Sequence, residues 1–297
     1  METLREVFDP DFLLRNSVYI SLVFGLTCPL VGVYLVLRRL VFMGVALPQI
    51  SSCGIAFAFA LQGLGWLPHA HETAGEHTLA FLGSTVFTLA AILLLAVLAR
   101  RGGGSVEARV GTAYVLAGAW SILLLVKNPI GEHGLLDLLK GEIIAISDFE
   151  LRVTAAVFAA VVAALWLFKK EFLLVSFDRD MAVTLRKNVL GWDSFLFLLI
   201  GLTISLAVLS VGPLVTFGFL LLPPLTAHLF ARNMRQFSVL ASVLGGTGAV
   251  AGFCIAYRWD LPVGATDVAL LGIVYSLAFT ARKLIARFGA KPVSASA

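Results

Sequence analysis

Apolar residues along this chain neither alternate nor keep to one helical face. They run almost unbroken, and polar residues gather in short stretches between the runs. The runs cover residues 17–37, 44–64, 79–99, 110–126, 152–168, 194–211, 214–230, 238–257 and 264–281. A helix needs roughly 17–25 apolar residues to cross a hydrocarbon core about 30 Å thick, and these runs match that length. In lipid a segment must satisfy its own backbone hydrogen bonds, which favours helices for runs this long. The pattern predicts an all-α, polytopic integral membrane protein with about nine transmembrane helices, forming a single transmembrane domain over 1–297. Two runs, 110–126 and 152–168, are short, and the pair flanking Gly212-Pro213 share almost no loop. Broken or re-entrant elements there would make the count eight or ten.

Composition agrees. Of 297 residues, 59% are hydrophobic and 13% charged, far from a soluble domain's balance. Charge adds an orientation. If the first run passes from outside to inside, the inner loops are 38–43, 100–109, 169–193, 231–237 and 282–297. These hold 16 of the 22 Lys and Arg but only 5 of the 18 acids. Basic residues collect on the cytoplasmic side, so the N-terminus is expected outside and the C-terminus inside. The first residues mix acids and bases ahead of an apolar run too long for a signal-peptide core, so no cleaved signal is expected.

Some chemistry is excluded by what is missing. Within the nine runs the charged or imidazole side chains are Arg152, the first residue of its run, Asp267, near a segment end, and His228. A charge at the bilayer centre costs roughly 2.5–3.5 kcal/mol on insertion scales, so proton-coupled carriers keep an acid there for use. That argues against such a carrier and against a voltage sensor. No GxxxxGK[ST] occurs, so the chain has no P-loop for ATP. Cys28, Cys53 and Cys254 all fall in apolar runs, where they read as buried small side chains.

Four segments carry candidate chemistry. Pro48-Gln49-Ile50-Ser51-Ser52-Cys53 places a helix breaker and small polar groups in a span otherwise fit for lipid. Pro48 removes one backbone hydrogen bond and is expected to kink or break the helix, and broken membrane helices line cavities. Gln49, Ser52 and Cys53 share a face by spacing. A pathway lining and a packing seam of small residues both fit. The outer loop 67–78 holds His69, His71, Glu72, Glu76 and His77. Imidazole with carboxylate suits zinc, manganese or iron, and a solvated loop with chance histidines is the other reading. The inner loop 169–193 contains "SFDRDMAVTLRKN", with Ser176 or Asp178 as N-cap, acids in the first turn and bases in the last. Phe177, Met181 and Leu185 recur every four residues and give a short helix one apolar face, for a protein groove or for lipid headgroups. Finally, Pro223-Pro224 is expected to break its span beside the tight turn at Gly212-Pro213.

"LRRLVFMGVALPQISSCGIA" resembles the signature of the permease subunits of bacterial zinc, manganese and iron ABC importers, the ABC-3 family. Arg38, Arg39, Gly44, Leu47, Gly54 and Ala56 match in register. "GLLDLLKGEIIAISDFEL" (134–151), "LLVSFDRDMAV" (173–183), "VGPLVTFGFLLLPPLTAHLFARN" (211–233) and "YRWDLPVGATDVAL" (257–270) are similar to four further family motifs, in order. The resemblance implies a homodimer in the bacterial inner membrane with a transport pathway on its axis. It implies an ABC ATP-binding subunit carrying ATP and Mg, and an extracytoplasmic binding protein that delivers a metal ion as substrate. No cofactor of the chain's own and no nucleic-acid partner are implied, nor any enzymatic activity in this chain. Phe177, Asp178, Asp180, Met181, Ala182 and Leu185 would form the coupling helix, with Arg186 where the family usually has glycine. Gly212, Pro213, Pro223 and Pro224 would hinge between inward- and outward-open states. The family's acidic and histidine positions fall on Val45 and Gln49, neither a good ligand for a divalent ion. The implied pathway residues are Val45, Pro48, Gln49, Ser51, Ser52 and Cys53. With no carboxylate among them, a dication would need a water-filled path or brief holding by Gln49, Ser51, Ser52 and Cys53; the alternatives are a changed substrate, such as a metal chelate or a neutral small solute, or a membrane scaffold or sensor that has lost transport.

Overall fold

The computed structural model describes residues 14–63, 73–100, 106–126 and 148–289, and among these the regular structure is helical, with no strand. The helices are α1 (Arg15–Leu37), α2 (Val41–Gly63), α3 (Thr73–Arg100), α4 (Val106–Val126) and α5 (Asp148–Leu167). They continue with α6 (Lys169–Phe177), α7 (Arg179–Thr184), α8 (Val189–Phe230), α9 (Met234–Trp259) and α10 (Val263–Gly289). Each expected apolar run lies on one of them. Six are long and apolar enough to cross a membrane by length and composition, or seven if the bent pair of α5 and α6 makes one span.

Helix α8 is two spans. Its 42 residues would reach about 63 Å as a straight rod at 1.5 Å per residue. Yet both of its ends pack at the same end of α1. Asp193 binds Arg38 at 2.7 Å, and Ala227 lies buried with Val33 among Val36, Leu37 and Ala231. The chain reverses at Gly212, whose φ of 79° and ψ of 166° are non-helical. That region of backbone space is essentially open to glycine alone. Gly212→Ala is therefore expected to cost about 1–3 kcal/mol, the usual strain of a disfavoured backbone state, read as a lowered unfolding midpoint in detergent.

The expected breaks at proline take a different form. Val41–Gly63 is one helix through Pro48, and the second half of α8 is helical through Pro223 and Pro224. A proline in mid-helix leaves the carbonyl four residues earlier without its N–H. At two places a neighbouring glycine fills the gap. Pro224 frees the Leu220 carbonyl, and Gly32 of α1 approaches that oxygen so closely that a Cβ would overlap it. Pro29 frees the Gly25 carbonyl, and Gly245 of α9 lies against it in the same way. Close backbone approach through small residues is how helices associate where lipid is as apolar as their side chains.

Aromatic rings fix the bend between α5 and α6, which is 66°. Phe168 and Phe172 stack with Trp192 and Phe195 of α8 at centroid distances of 5.3–5.9 Å. This bolts the short helices to the Arg38 end of the bundle. Helix α10 lies outermost, with only 6% of its apolar window buried within the chain, against 72% for α2.

Candidate functional site

Two features stand out: one face of α2, and the α6–α7 corner. Along α2, Val45 and Gln49 are half-buried while Pro48, Ser51, Ser52 and Cys53 are buried. Gln49 and Cys53, four residues apart, both turn toward α4. A Cβ on Gly118 would stand 3.5 Å from the Gln49 Nε2, and Cys53 shares a side-chain hydrogen bond with Ser121. Ser51 turns the other way. Its Oγ lies 2.6 Å from Ser84 Oγ of α3, which lies 2.7 Å from Ser205 Oγ of α8. Thr85 Oγ1 joins the group at 2.8 Å from Ser205 Oγ. Ser51 thus belongs to a buried hydroxyl network that ties three helices together, away from the Gln49 face. A buried hydroxyl must find such partners, and here each one does.

The sequence pattern did not reveal this network, because periodicity says which residues share a face but not which neighbour that face meets. The signal available was a set of small polar residues in otherwise apolar spans at 51, 84, 85 and 205.

Helix α7 keeps the cap and first-turn acid its sequence suggests but is shorter than expected: Phe177 closes α6, and Leu185, Arg186 and Lys187 lie past its end at Thr184, so the three apolar residues do not share one helix. Of the two candidate caps, Asp178 is the one used: its Oδ1 accepts from the Met181 N–H at 2.9 Å. The helix ends in a Schellman turn, with Arg186 N–H donating to the Val183 carbonyl and Lys187 N–H to that of Ala182. Arg186 has φ 53°, the left-handed conformation that favours glycine. Ala182 is fully buried, whereas Phe177, Met181 and Leu185 are 67%, 51% and 53% exposed. Asp180 is exposed in the first turn, its carbonyl accepting from Thr184 Oγ1. An apolar face of this size has no cover within the described chain.

Above α7 lies a buried ion pair that sequence reasoning missed. Arg38, the C-cap of α1, donates from Nη1 to Asp193 Oδ1 at 2.7 Å and from Nε to Ser176 Oγ at 2.9 Å. Its guanidinium also lies 5.6 Å from the Phe197 ring centroid. The two charged side chains are about 10% exposed. The clue in the sequence was an acid at the mouth of an apolar run, beside Trp192.

Other candidates are placed as follows. His69, His71 and Glu72 lie outside the described residues, as does most of the 134–151 motif. Glu76 and His77 fall within the first turns of α3, which begins at Thr73, so the expected outer loop is shorter than 67–78. Among the described residues no three His, Cys, Asp or Glu side chains converge on one point. His228 packs its ring 5.4 Å from that of Phe237. Asp267 is buried against Gly252 of α9, and its Oδ1 has no hydrogen-bond partner among the described residues.

Repeated apolar spans, close glycine contacts and a capped helix offered at one end of the bundle define a multi-pass helical membrane protein. The chain belongs to the ABC 3 transport family, whose profile matches residues 11–282. It is 24% identical over 279 residues to the manganese import system permease protein ScaB of Streptococcus gordonii, covering 94% of each chain. It is 26% identical to the manganese transport system membrane protein MntC of Listeria monocytogenes, over 90% of this chain and 89% of that one. Among solved structures, PsaBC from Streptococcus pneumoniae in complex with Fab superposes with a TM-score of 0.78, at 25% identity and 94% coverage of both chains.

Proposed function

We propose that this chain is the permease subunit of an ATP-binding cassette importer that moves a divalent transition metal ion, manganese above zinc and iron, into the cytoplasm. The observation that carries the coupling half of this reading is the α6–α7 corner: Phe177 at the end of α6, Met181 on the capped helix α7 and Leu185 just past its end are all exposed, in a chain with no nucleotide-binding motif of its own. Such a face suits the groove of a separate ATPase. In this reading the chain works as a homodimer with the pathway on its axis. The N-terminus faces outside, the C-terminus is cytoplasmic, and ATP with Mg sits on the partner subunit. An extracytoplasmic binding protein delivers the ion to the outer face, where His69, His71, Glu72, Glu76 and His77 collect it.

Val45 and Gln49 mark the half-buried face of α2 as the pathway wall. Pro48, Ser52 and Cys53 shape that wall from inside, while Ser51 braces it. A bare dication in an apolar channel costs more than neutral groups return. The wall therefore works by keeping water with the ion, with the Gln49 carbonyl as a transient ligand. Gly212 with Pro213, and Pro223-Pro224, give α8 the places at which its halves can move against α1.

The test is reconstitution of the chain with its ATPase and binding protein in liposomes. Manganese is expected to stimulate hydrolysis and to accumulate inside. The lack of a charged ligand at positions 45 and 49 favours a second reading, transport of a metal chelate. If manganese, zinc and iron all fail while a chelate stimulates hydrolysis, that reading replaces the first. If no ATPase co-purifies with the chain, both fall, and a membrane scaffold or sensor remains.

A further inference from the structure

We propose that Arg38 is the positioning residue that carries movement of the coupling helix α7 to the pathway helix α2. The inference rests on the importer reading above and adds a residue to it.

The argument starts from where Arg38 stands. It closes α1, and only Arg39 and Leu40 separate it from the first turn of α2. Those two residues are held in a tight Schellman turn: Arg39 takes φ 57°, its N–H donates to the Val36 carbonyl, and Leu40 N–H donates to that of Leu35. A turn this closed has little slack, so displacement of the Arg38 backbone displaces the start of α2. The side chain meanwhile reaches α6 through Ser176, two residues before the Asp178 cap of α7, and reaches the start of α8 through Asp193. The guanidinium therefore joins α6, next to the coupling helix, to α8, and the Arg38 backbone ties both to the pathway helix through the turn. The planar fork of the guanidinium suits such multiple attachment in a way that an ammonium does not.

The connection continues at the far side. Helix α8 carries Ser205, and α2 carries Ser51; both end in the same hydroxyl network through Ser84. Two arms leave Arg38, one along α2 and one along α8, and they meet again at this network. Motion entering at α7 thus reaches the Gln49 face from a braced frame and is not lost in bending one helix. The guanidinium is not fully satisfied, for Nη2 is buried without a hydrogen-bond partner among the described residues. A purely structural clamp would be expected to use that donor. One left unused is suited to a contact made in another state of the cycle.

The test uses the complete complex in liposomes and reads manganese taken up per ATP hydrolysed. Wild-type complex must first show manganese-stimulated hydrolysis; if it does not, the importer reading has failed and the failure is separate. Arg38→Gln is expected to keep assembly and basal hydrolysis while lowering the uptake ratio about tenfold, inside the 5–150-fold span usual for coupling between sites. Arg38→Lys keeps the charge without the fork and is expected to recover only part of the ratio. Ser176→Ala removes the Oγ that accepts from Arg38 and donates to the Phe172 carbonyl within its own helix, but no charge, so it is expected to fold and to lower the ratio several-fold. The double variant Arg38→Gln with Ser176→Ala is expected to be no worse than Arg38→Gln alone, since both lie on one path. A wild-type ratio in both Arg38→Gln and Ser176→Ala overturns the proposal. If Arg38→Gln fails to assemble, Ser176→Ala decides it alone, and a wild-type ratio there overturns it equally.

Discussion

Replacing Gly32 by leucine is expected to abolish monodisperse, folded protein. In the structure the Gly32 backbone lies against the Leu220 carbonyl, the oxygen that Pro224 leaves without an intrahelical donor. A Cβ there would overlap the carbonyl oxygen and stand 2.8 Å from its carbon and 3.0 Å from the Pro224 ring. None of these atoms belongs to a flexible side chain that could swing aside, so α1 and the second half of α8 must separate. Overpacking a tight contact costs about 1–3 kcal/mol and occasionally more, and it takes a large part of a marginal stability. Separation also undoes the cluster of Val33 and Ala227 one turn away. Gly32→Ala adds the same Cβ without the leucine branch beyond it, so it is expected to force a smaller separation and to lower the unfolding midpoint by roughly 5–10 °C. Gly111 gives the control: a Cβ there meets nothing within 4 Å inside the chain. Gly111→Ala is expected to fold as wild type, or slightly better through helix propensity. Size-exclusion profiles and thermal melts in one detergent read all three. An intact, wild-type profile for Gly32→Leu would mean that these two helices do not pack as described.

The same contact shows what was legible beforehand. Nine apolar runs announce helices because lipid offers the backbone no other partner, and every run lies on one. Even the hairpin at Gly212-Pro213 was visible, as two spans with almost no loop between them. The prolines were harder. Pro48 predicts a kinked or broken helix and Pro223-Pro224 a broken one when each segment is considered alone, and the structure carries helices through all three without a break. What decides the outcome at Pro224 is a glycine nearly two hundred residues away in sequence, which no local rule contains. Asp178 was readable as a cap because its whole mechanism lies within three residues. Arg38 and Asp193 were not, since their pairing spans 155 positions and each alone resembles an ordinary loop charge. The pathway cluster divides in the same manner. Gln49 and Cys53 share the face that spacing assigns, while Ser51 is claimed by Ser84 and Ser205, partners from other helices.

The second large effect concerns the exposed side of the α6–α7 corner. Changing Phe177 and Met181 together to aspartate is expected to leave the permease folded and to detach it from the ATPase. Both side chains are more than half exposed, and neither supports the fold from within, so adding charge there costs the permease little. At a protein interface they would be apolar anchors in a desolvated groove, where truncation alone typically costs 2 kcal/mol or more, about thirtyfold in affinity. A buried unpaired carboxylate adds to that. The expected result is normal size-exclusion behaviour for the isolated permease, loss of ATPase on co-purification, and loss of manganese-stimulated hydrolysis. Ala182→Asp separates folding from docking, because that residue is fully buried behind the same helix and is expected to unfold the α6–α7 corner. The competing use of such a face is to lie on lipid headgroups. In that case the aspartates would release the helix from the membrane surface while the ATPase stayed bound at wild-type stoichiometry. Retained ATPase in the Phe177→Asp, Met181→Asp variant would therefore remove α7 from the coupling interface, and with it the physical link between hydrolysis and the α2 wall.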